Sequence, residues 1–380
     1  MVAVQLVRST LECSGVPHLR FVVTLVLLTM PCTSLQARGG IAFHYASPLT
    51  ASELDWYANF DVLVTHDPLP AQQVDALHRR GTRLVLYEWA VAWYASLATL
   101  WHGRLPASAA LNASPLRGHL GAPDADAFYY DPAAREHQRD RALVLARRLR
   151  TLHYDGIFLD TTTSESVHPD ALAEYRHRHP DLPYDEAFAD FLHTLRRELR
   201  GGLIVTNQGY RHADEVLPYV DWDVSESLIT HPREGKFVLR PWNDANDQWN
   251  SVAFLMRNLI APARKKYPVV RFAHINYVDD LSLADEIVAI SRLFDADPVI
   301  ALRNVAATVH SELLLVELGE SRSRGANHRF FERGFVAYNP TGKTLRVPNR
   351  VPFEDVVSGE RVGGTIVVPP RSARILRRAR

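Results

Sequence analysis

Two carboxylates far apart in the chain, Asp160 and Glu226, each stand at the end of a short run that reads as a β-strand. Asp160 ends the apolar stretch within Tyr154–Thr161, which carries Gly156 near its start. A run this apolar is expected to be buried on both faces, as in a parallel sheet with helices outside. Glu226 lies near the end of Trp222–Leu228, between Ser225 and Ser227. In one α/β barrel the C-terminal ends of both strands would converge on a single mouth. A carboxyl pair there suits glycosidic cleavage. The leaving oxygen must be protonated by one acid, while the other attacks the anomeric carbon, activates water or stabilises the oxocarbenium-like charge. One ionised group also raises the pKa of its neighbour and keeps it protonated. The short side chain of Asp160 suits a fixed nucleophile or base, and the longer reach of Glu226 suits a proton donor. Asp155 falls near the opposite end of its strand, and Asp221 and Asp223 lie lower on theirs or face outward.

The other strand ends supply Tyr45, His66, Glu88 and Trp89, Asn207 and Tyr277. Asn207 could hold a sugar hydroxyl or orient a carboxylate. Tyr45, Trp89, Trp93 and Tyr277 could stack on pyranose faces, with plain core packing as the alternative for each. Glu88 is either a third rim acid or a partner for an arginine. The chain has no phosphate-cradling glycine loop, no H-E-x-x-H ligand set and no G-x-S-x-G elbow, so neither metal nor organic cofactor is expected.

The elements that must place these residues alternate regularly. Gly40–Ala46, Asp61–His66 and Arg83–Trp89 read as strands one to three, separated by helices over Ser52–Tyr57 and Gln72–Arg80. Between Trp93 and Tyr130 the pattern breaks into a segment with Tyr94, Trp101 and His102 that could wall a groove above the barrel. A helix capped at Asp131-Pro132 runs to about Leu152 before strand four. Leu203–Asn207 is strand five, Trp222–Leu228 strand six, Trp242–Lys266 a long helix, Val269–Val278 strand seven, Leu281–Phe294 a helix and Val299–Leu302 strand eight. This is the order of a (β/α)8 barrel. From Glu312 onward, strand-like runs at Leu313–Leu318, Gly334–Asn339, Thr344–Val347 and Thr365–Val368 indicate a small all-β module. The expected organisation is a leader over 1–37, the barrel over 38–308 and a β-sandwich over 309–380.

Phe21–Met30, preceded by Arg20, is too short to span a bilayer and fits a signal-peptide core, with small residues at Ser34 or Ala37 for cleavage. Both cysteines, Cys13 and Cys32, fall in this leader. A processed chain would therefore contain no disulfide and no cysteine nucleophile. Such a protein is expected to be secreted or periplasmic in a bacterium, without stable membrane insertion once the leader is removed. Acidic and basic residues balance at 43 each. No global field recruits nucleic acid.

Asp155-Gly-Ile-Phe-Leu-Asp160, Thr206-Asn207-Gln208-Gly209 and Ser225-Glu226-Ser227 resemble the corresponding strand ends of bacterial endo-α-1,4-polygalactosaminidase-like glycoside hydrolases. Their clan includes hydrolase domains acting on galactosamine-containing biofilm exopolysaccharides. The resemblance extends from Gly40 to about Leu302, with Phe60-Asp61-Val-Leu-Val and Leu84-Val-Leu-Tyr87 fitting strands two and three. It implies a TIM-type barrel, catalytic acids at Asp160 and Glu226, and Tyr87, Asn207 and Tyr277 near the sugar. Where those proteins usually carry a Ser-x-Gly-Glu-like turn this chain has Tyr87-Glu88-Trp89-Ala90, so the subsite built there is expected to differ. The function expected is an exported glycoside hydrolase acting on an α-linked, galactosamine-containing polysaccharide or oligosaccharide. A carbohydrate-binding protein on a decayed barrel and a transglycosylase are the competing readings.

Overall fold

The computed structural model describes residues 38–94, 115–117, 127–160, 162–244, 246, 250–303 and 307–379. The leader, with Cys13 and Cys32, lies outside the described residues, as does most of the segment between Trp93 and Tyr130, including Trp101 and His102. Residues 38–380 form one compact unit.

Eight strands make its centre: β1 Gly39–His44, β2 Phe60–Thr65, β3 Arg83–Trp89, β4 Gly156–Asp160, β5 Leu203–Asn207, β6 Trp222–Glu226, β7 Arg271–Val278 and β8 Ala296–Leu302. They neighbour one another in chain order, and every adjacent pair from β1 to β8 is parallel. This is the expected (β/α)8 barrel. Its inner layer is Ile41, Phe43, Val62, Val64, Val85, Phe158, Leu203, Val205, Trp222, Val224, Ala273, Ile275 and Val299. These residues recur at every second position, because successive strand side chains point to opposite faces. The alternate residues, such as Leu84, Leu86, Ile157, Leu159 and Ile204, pack outward against the helices.

The ring closes through Thr308, not through a β8–β1 ladder. Thr308 Oγ1 accepts from Phe43 N at 2.8 Å, Thr308 N donates to Phe43 O at 2.8 Å, and Val309 N donates to Ile300 O at 2.9 Å. Isolated antiparallel bridges join His44 to Ala307 and Ala301 to Thr308. The strand-one and strand-eight edges therefore have their backbone groups partly satisfied by a returning segment.

Helices α1 Ala51–Tyr57 and α2 Ala71–Arg79 lie where periodicity places them, whereas α3 Arg135–Leu152 begins behind Ala134 without a side-chain cap, because Asp131, expected as its cap, accepts from Ala133 N at 2.9 Å in the turn before it. α1 opens on a capping box in which Thr50 and Glu53 satisfy each other's backbone N–H groups. The long helix expected over Trp242–Lys266 is shorter. Among the described residues the α-helix begins at Val252 behind a Ser251 cap and passes through a π-helical turn, Leu255–Ile260, before Ala261–Lys266. The stretch before it is rich in Asn and Asp, which favour turns, and Trp242 packs against Tyr338 with ring centroids 5.3 Å apart. A hairpin, Thr230–Arg233 with Lys236–Leu239, also intervenes after β6. The segment after β3 contains a three-stranded antiparallel sheet, Ala92–Tyr94, Ala127–Tyr130 and Pro115–Arg117. Among the described residues no helix is long and apolar enough to cross a membrane.

The C-terminal region is antiparallel. Ser321–Arg324, His328–Phe331, Gly334–Asn339, Ser372–Arg378, Phe353–Asp355 and Arg361–Val362 form a six-stranded sheet, and Leu345–Pro348 pairs with Thr365–Val368. Leu313–Leu318, expected as a strand, contains a 3-10 turn, Glu312–Leu315, instead. Alternation again divides the sheet: Phe335 and Ala337 face the module's own core, while Val336 and Tyr338 join the barrel's outer core.

Candidate active site

The inward-facing period of the barrel, continued one step beyond its packed core, produces the site. Ile41 and Phe43 are followed by Tyr45, Val62 and Val64 by His66, Val85 by Tyr87, and Phe158 by Asp160. Val205 is likewise followed by Asn207, Val224 by Glu226, and Ile275 by Tyr277. All seven line one cavity of about 230 Å³, with Phe158 and Ile275 as its floor. An apolar cavity of about 150 Å³ already admits a benzene-sized ring, so there is room here for one sugar ring.

One amide organises the polar groups. Asn207 Nδ2 donates to Asp160 Oδ1 at 3.0 Å and to Glu226 Oε2 at 2.9 Å. Both acceptors being carboxylate oxygens, the NH2 end of the amide must face them. The Tyr87 hydroxyl donates to Asp160 Oδ2, and its ring stacks on Phe158 at 5.3 Å with an interplanar angle of 24°. On the other side, the Tyr277 hydroxyl stands by Glu226 and Tyr45, and its presence lowers the Glu226 pKa. His66 stands beside Tyr87 and Tyr45, with ring centroids at 4.9 and 5.7 Å, and its Nδ1 lies 3.5 Å from Asp67 Oδ1.

Burial raises the pKa of Glu226, and the nearby Asp160 charge adds to the rise against the pull of the Asn207 amide and the Tyr277 hydroxyl. Burial likewise raises the hydroxyls of Tyr45, Tyr87 and Tyr277, reinforced by the two carboxylates. The three tyrosines therefore remain neutral hydrogen-bonding groups. The chain leaves two of these strands through left-handed, non-glycine residues, Gln208 at φ 62° after Asn207 and Ser227 at φ 53° after Glu226. Such residues carry local strain and persist when their surroundings hold them. Gln208 N donates to Val224 O at 2.7 Å and Ser227 N to Ile275 O at 2.8 Å, which ties each turn to the next strand.

Glu88 does not belong to this mouth. Strand alternation turns it outward, it is 1% exposed, and it pairs with Arg148 at 2.5 Å and Arg141 at 3.4 Å, both on α3. Of its two readings, the arginine partner is the one the fold adopts. Trp89 is half-buried, lies edge-on to Tyr87 at 6.2 Å and packs against the outer core without lining the cavity. Phe158 and Ile275 were absent from the sequence-derived set, although counting back two residues from Asp160 and Tyr277 identifies both. Asp155 and Asp221 sit at the opposite end of the barrel. They accept the backbone N–H groups of Leu84 and Ile204 at 2.7 and 2.8 Å.

No protein-family model matches the sequence. No curated protein matches it either. Among solved structures, the glycoside hydrolase domain of PelA from Pseudomonas aeruginosa is similar over 70% of this chain and 96% of its own, at 21% identity and a TM-score of 0.53. A GH27 β-L-arabinopyranosidase from Geobacillus stearothermophilus is similar over 91% of this chain and 97% of its own, at 9% identity and a TM-score of 0.51. An α-amylase from Malbranchea cinnamomea covers 90% of this chain and 96% of its own, at 12% identity and a TM-score of 0.50. At such identities the likeness establishes the fold, a TIM-type barrel with an antiparallel C-terminal module.

Proposed function

We propose that this chain is a retaining glycoside hydrolase in which Glu226 is the general acid and base and Asp160 the nucleophile. The observation that carries the reading is the shared amide. With bonds of 3.0 and 2.9 Å to one nitrogen, the two carboxylate oxygens lie no more than about 5.9 Å apart, the sum of the two legs. Retaining enzymes hold their carboxyl groups about 5–5.5 Å apart, whereas inverting ones need roughly 6.5–9.5 Å to admit water.

In the first step Asp160 attacks the anomeric carbon while Glu226 gives its proton to the departing glycosidic oxygen. The raised pKa of Glu226 keeps that proton available. In the second step Glu226 takes a proton from water, which attacks the same carbon and releases the Asp160 carboxylate. Tyr87 and Asn207 each bind one oxygen of Asp160, which fixes its rotamer for in-line attack. The fold it shares with the PelA hydrolase domain supports the hydrolase reading, and the strand-end motifs support an α-linked, galactosamine-containing polysaccharide as substrate. Among the described residues that line the cavity there is no lysine or arginine, which favours neutral or amino sugars over uronic acids. The apolar run at Phe21–Met30 supports export.

The test is incubation of the purified protein with defined α-linked polysaccharides, including galactosamine polymers, with products followed by mass spectrometry and early anomers by NMR. Net retention is expected, with Asp160→Asn and Glu226→Gln folded and almost inactive. Inverted products would overturn the assignment of Asp160. Binding without any product would make the chain a carbohydrate-binding protein.

A further inference from the structure

We propose that Asp223 is a positioning residue for this site, its buried carboxylate locking the turn after β5 so that the Asn207 amide faces both Asp160 and Glu226. The inference rests on the reading of those two acids as the hydrolytic pair.

Asp223 lies on β6 between the inward-facing Trp222 and Val224, so it points out of the barrel into the helix layer, where it is fully buried. Among the described residues no arginine, lysine or histidine pairs with it. Its three partners belong to the turn that carries Asn207. Oδ1 accepts from Thr206 Oγ1 and Gly209 N, each at 2.8 Å, and Oδ2 accepts from Tyr210 N at 2.8 Å. These donors flank Asn207 on both sides, one residue before it and two and three after. Between them Gln208 adopts φ 62°.

Residue 209 has to be glycine for the carboxylate to reach its backbone. A Cβ there would meet Val216 Cγ1 at 2.6 Å and Asp223 Oδ1 at 2.9 Å. With Thr206 held on the outer face, alternation along β5 aims Asn207 inward. The Thr162 hydroxyl, donating to the Asn207 carbonyl, holds the same residue from β4's side. Burial pushes the Asp223 carboxyl up to about 7 against the pull of its hydrogen bonds. A carboxyl group buried at such cost in the helix layer is held by dipoles, and those dipoles are two backbone N–H groups and the Thr206 hydroxyl of the Asn207 turn.

The experiment is a carboxyl-carbon NMR titration of the full chain labelled at glutamate, with the Glu226 signal identified by its loss in Glu226→Gln. Asn207→Ala should move the Glu226 titration to higher pH, since the amide bond pulls it down. Asp223→Asn should move it the same way, and the double variant no further than Asn207→Ala alone. A purely structural Asp223 would lower the melting temperature and leave the Glu226 titration where it is in the wild type. That result in folded Asp223→Asn protein, or full additivity in the double variant, overturns the proposal. Should Asp223→Asn fail to fold, Thr206→Val removes one of the three donors and carries the same measurement. The readout needs no substrate, so a wild-type protein inert on every glycan would refute the hydrolase reading while leaving the Asp223–Asn207 coupling measurable.

Discussion

Tyr87 and Asp160 meet across neighbouring strands, the Tyr87 hydroxyl on Asp160 Oδ2 and the Tyr87 ring on Phe158, two residues before that aspartate. The β3–β4 register pairs Tyr87 with Phe158, so both contacts follow from a single pairing. Tyr87→Phe keeps the stacked ring and deletes only the donor. A hydrogen bond to a charged group contributes about 1.5–3 kcal/mol, so kcat is expected to fall roughly 10- to 100-fold. The melting temperature should fall by only a few degrees, since the stacked ring is kept. Steady-state kinetics beside calorimetry checks this, and an unchanged kcat would remove Tyr87 from the nucleophile's support.

The pH dependence should report Glu226. As general acid it must be protonated, so activity is lost as pH rises through its pKa. The Tyr277 hydroxyl pulls that pKa down. Tyr277→Phe should therefore shift the alkaline limb of the kcat/KM profile to higher pH while lowering its maximum. A shift to lower pH would contradict that effect of Tyr277.

Glu88 is the anchor of a buried cluster with Arg141 and Arg148, whose side chains are 8% and 19% exposed. Replacing Glu88 takes its carboxylate away from two largely buried guanidiniums, and breaking a buried pair costs about 3–5 kcal/mol. Glu88→Ala should lose stability on that scale in denaturant titrations, with turnover per folded molecule largely kept. Loss of turnover without loss of stability would restore Glu88 to the active site.

His274, on the outward face of β7, is fully buried with neither ring nitrogen hydrogen-bonded among the described residues, and desolvation holds its pKa down to about 3. The unfolded imidazole binds a proton near pH 6.5 and the folded one does not. The stability contributed by the neutral ring is complete above about pH 6.5. It is lost as pH falls toward 3, at about 1.4 kcal/mol per unit. His274→Leu should flatten the decline of melting temperature between pH 6 and 4. An equally steep decline in the variant would assign acid sensitivity elsewhere.

The barrel, and the two acids at its mouth, were legible in the chain because their signals are local. Asp160 ends an unbroken apolar run, and the same period of two that buries Phe158 delivers Asp160 to the rim. Tyr45, His66, Asn207, Glu226 and Tyr277 follow the same arithmetic on other strands. Position at a strand end is not enough, however, and Glu88 shows why: one residue beyond Tyr87 reverses the side chain, and its partners lie 53 and 60 residues downstream on α3. The packing of Trp242 on Tyr338 and the closure of the ring by Thr308 are likewise contacts between distant segments. The sharing of one amide between Asp160 and Glu226 belongs to the same class. Periodicity along the chain sets which face a residue occupies. The distance between two carboxylates depends on strand register and on the turn that aims Asn207, and those exist only once the barrel has closed.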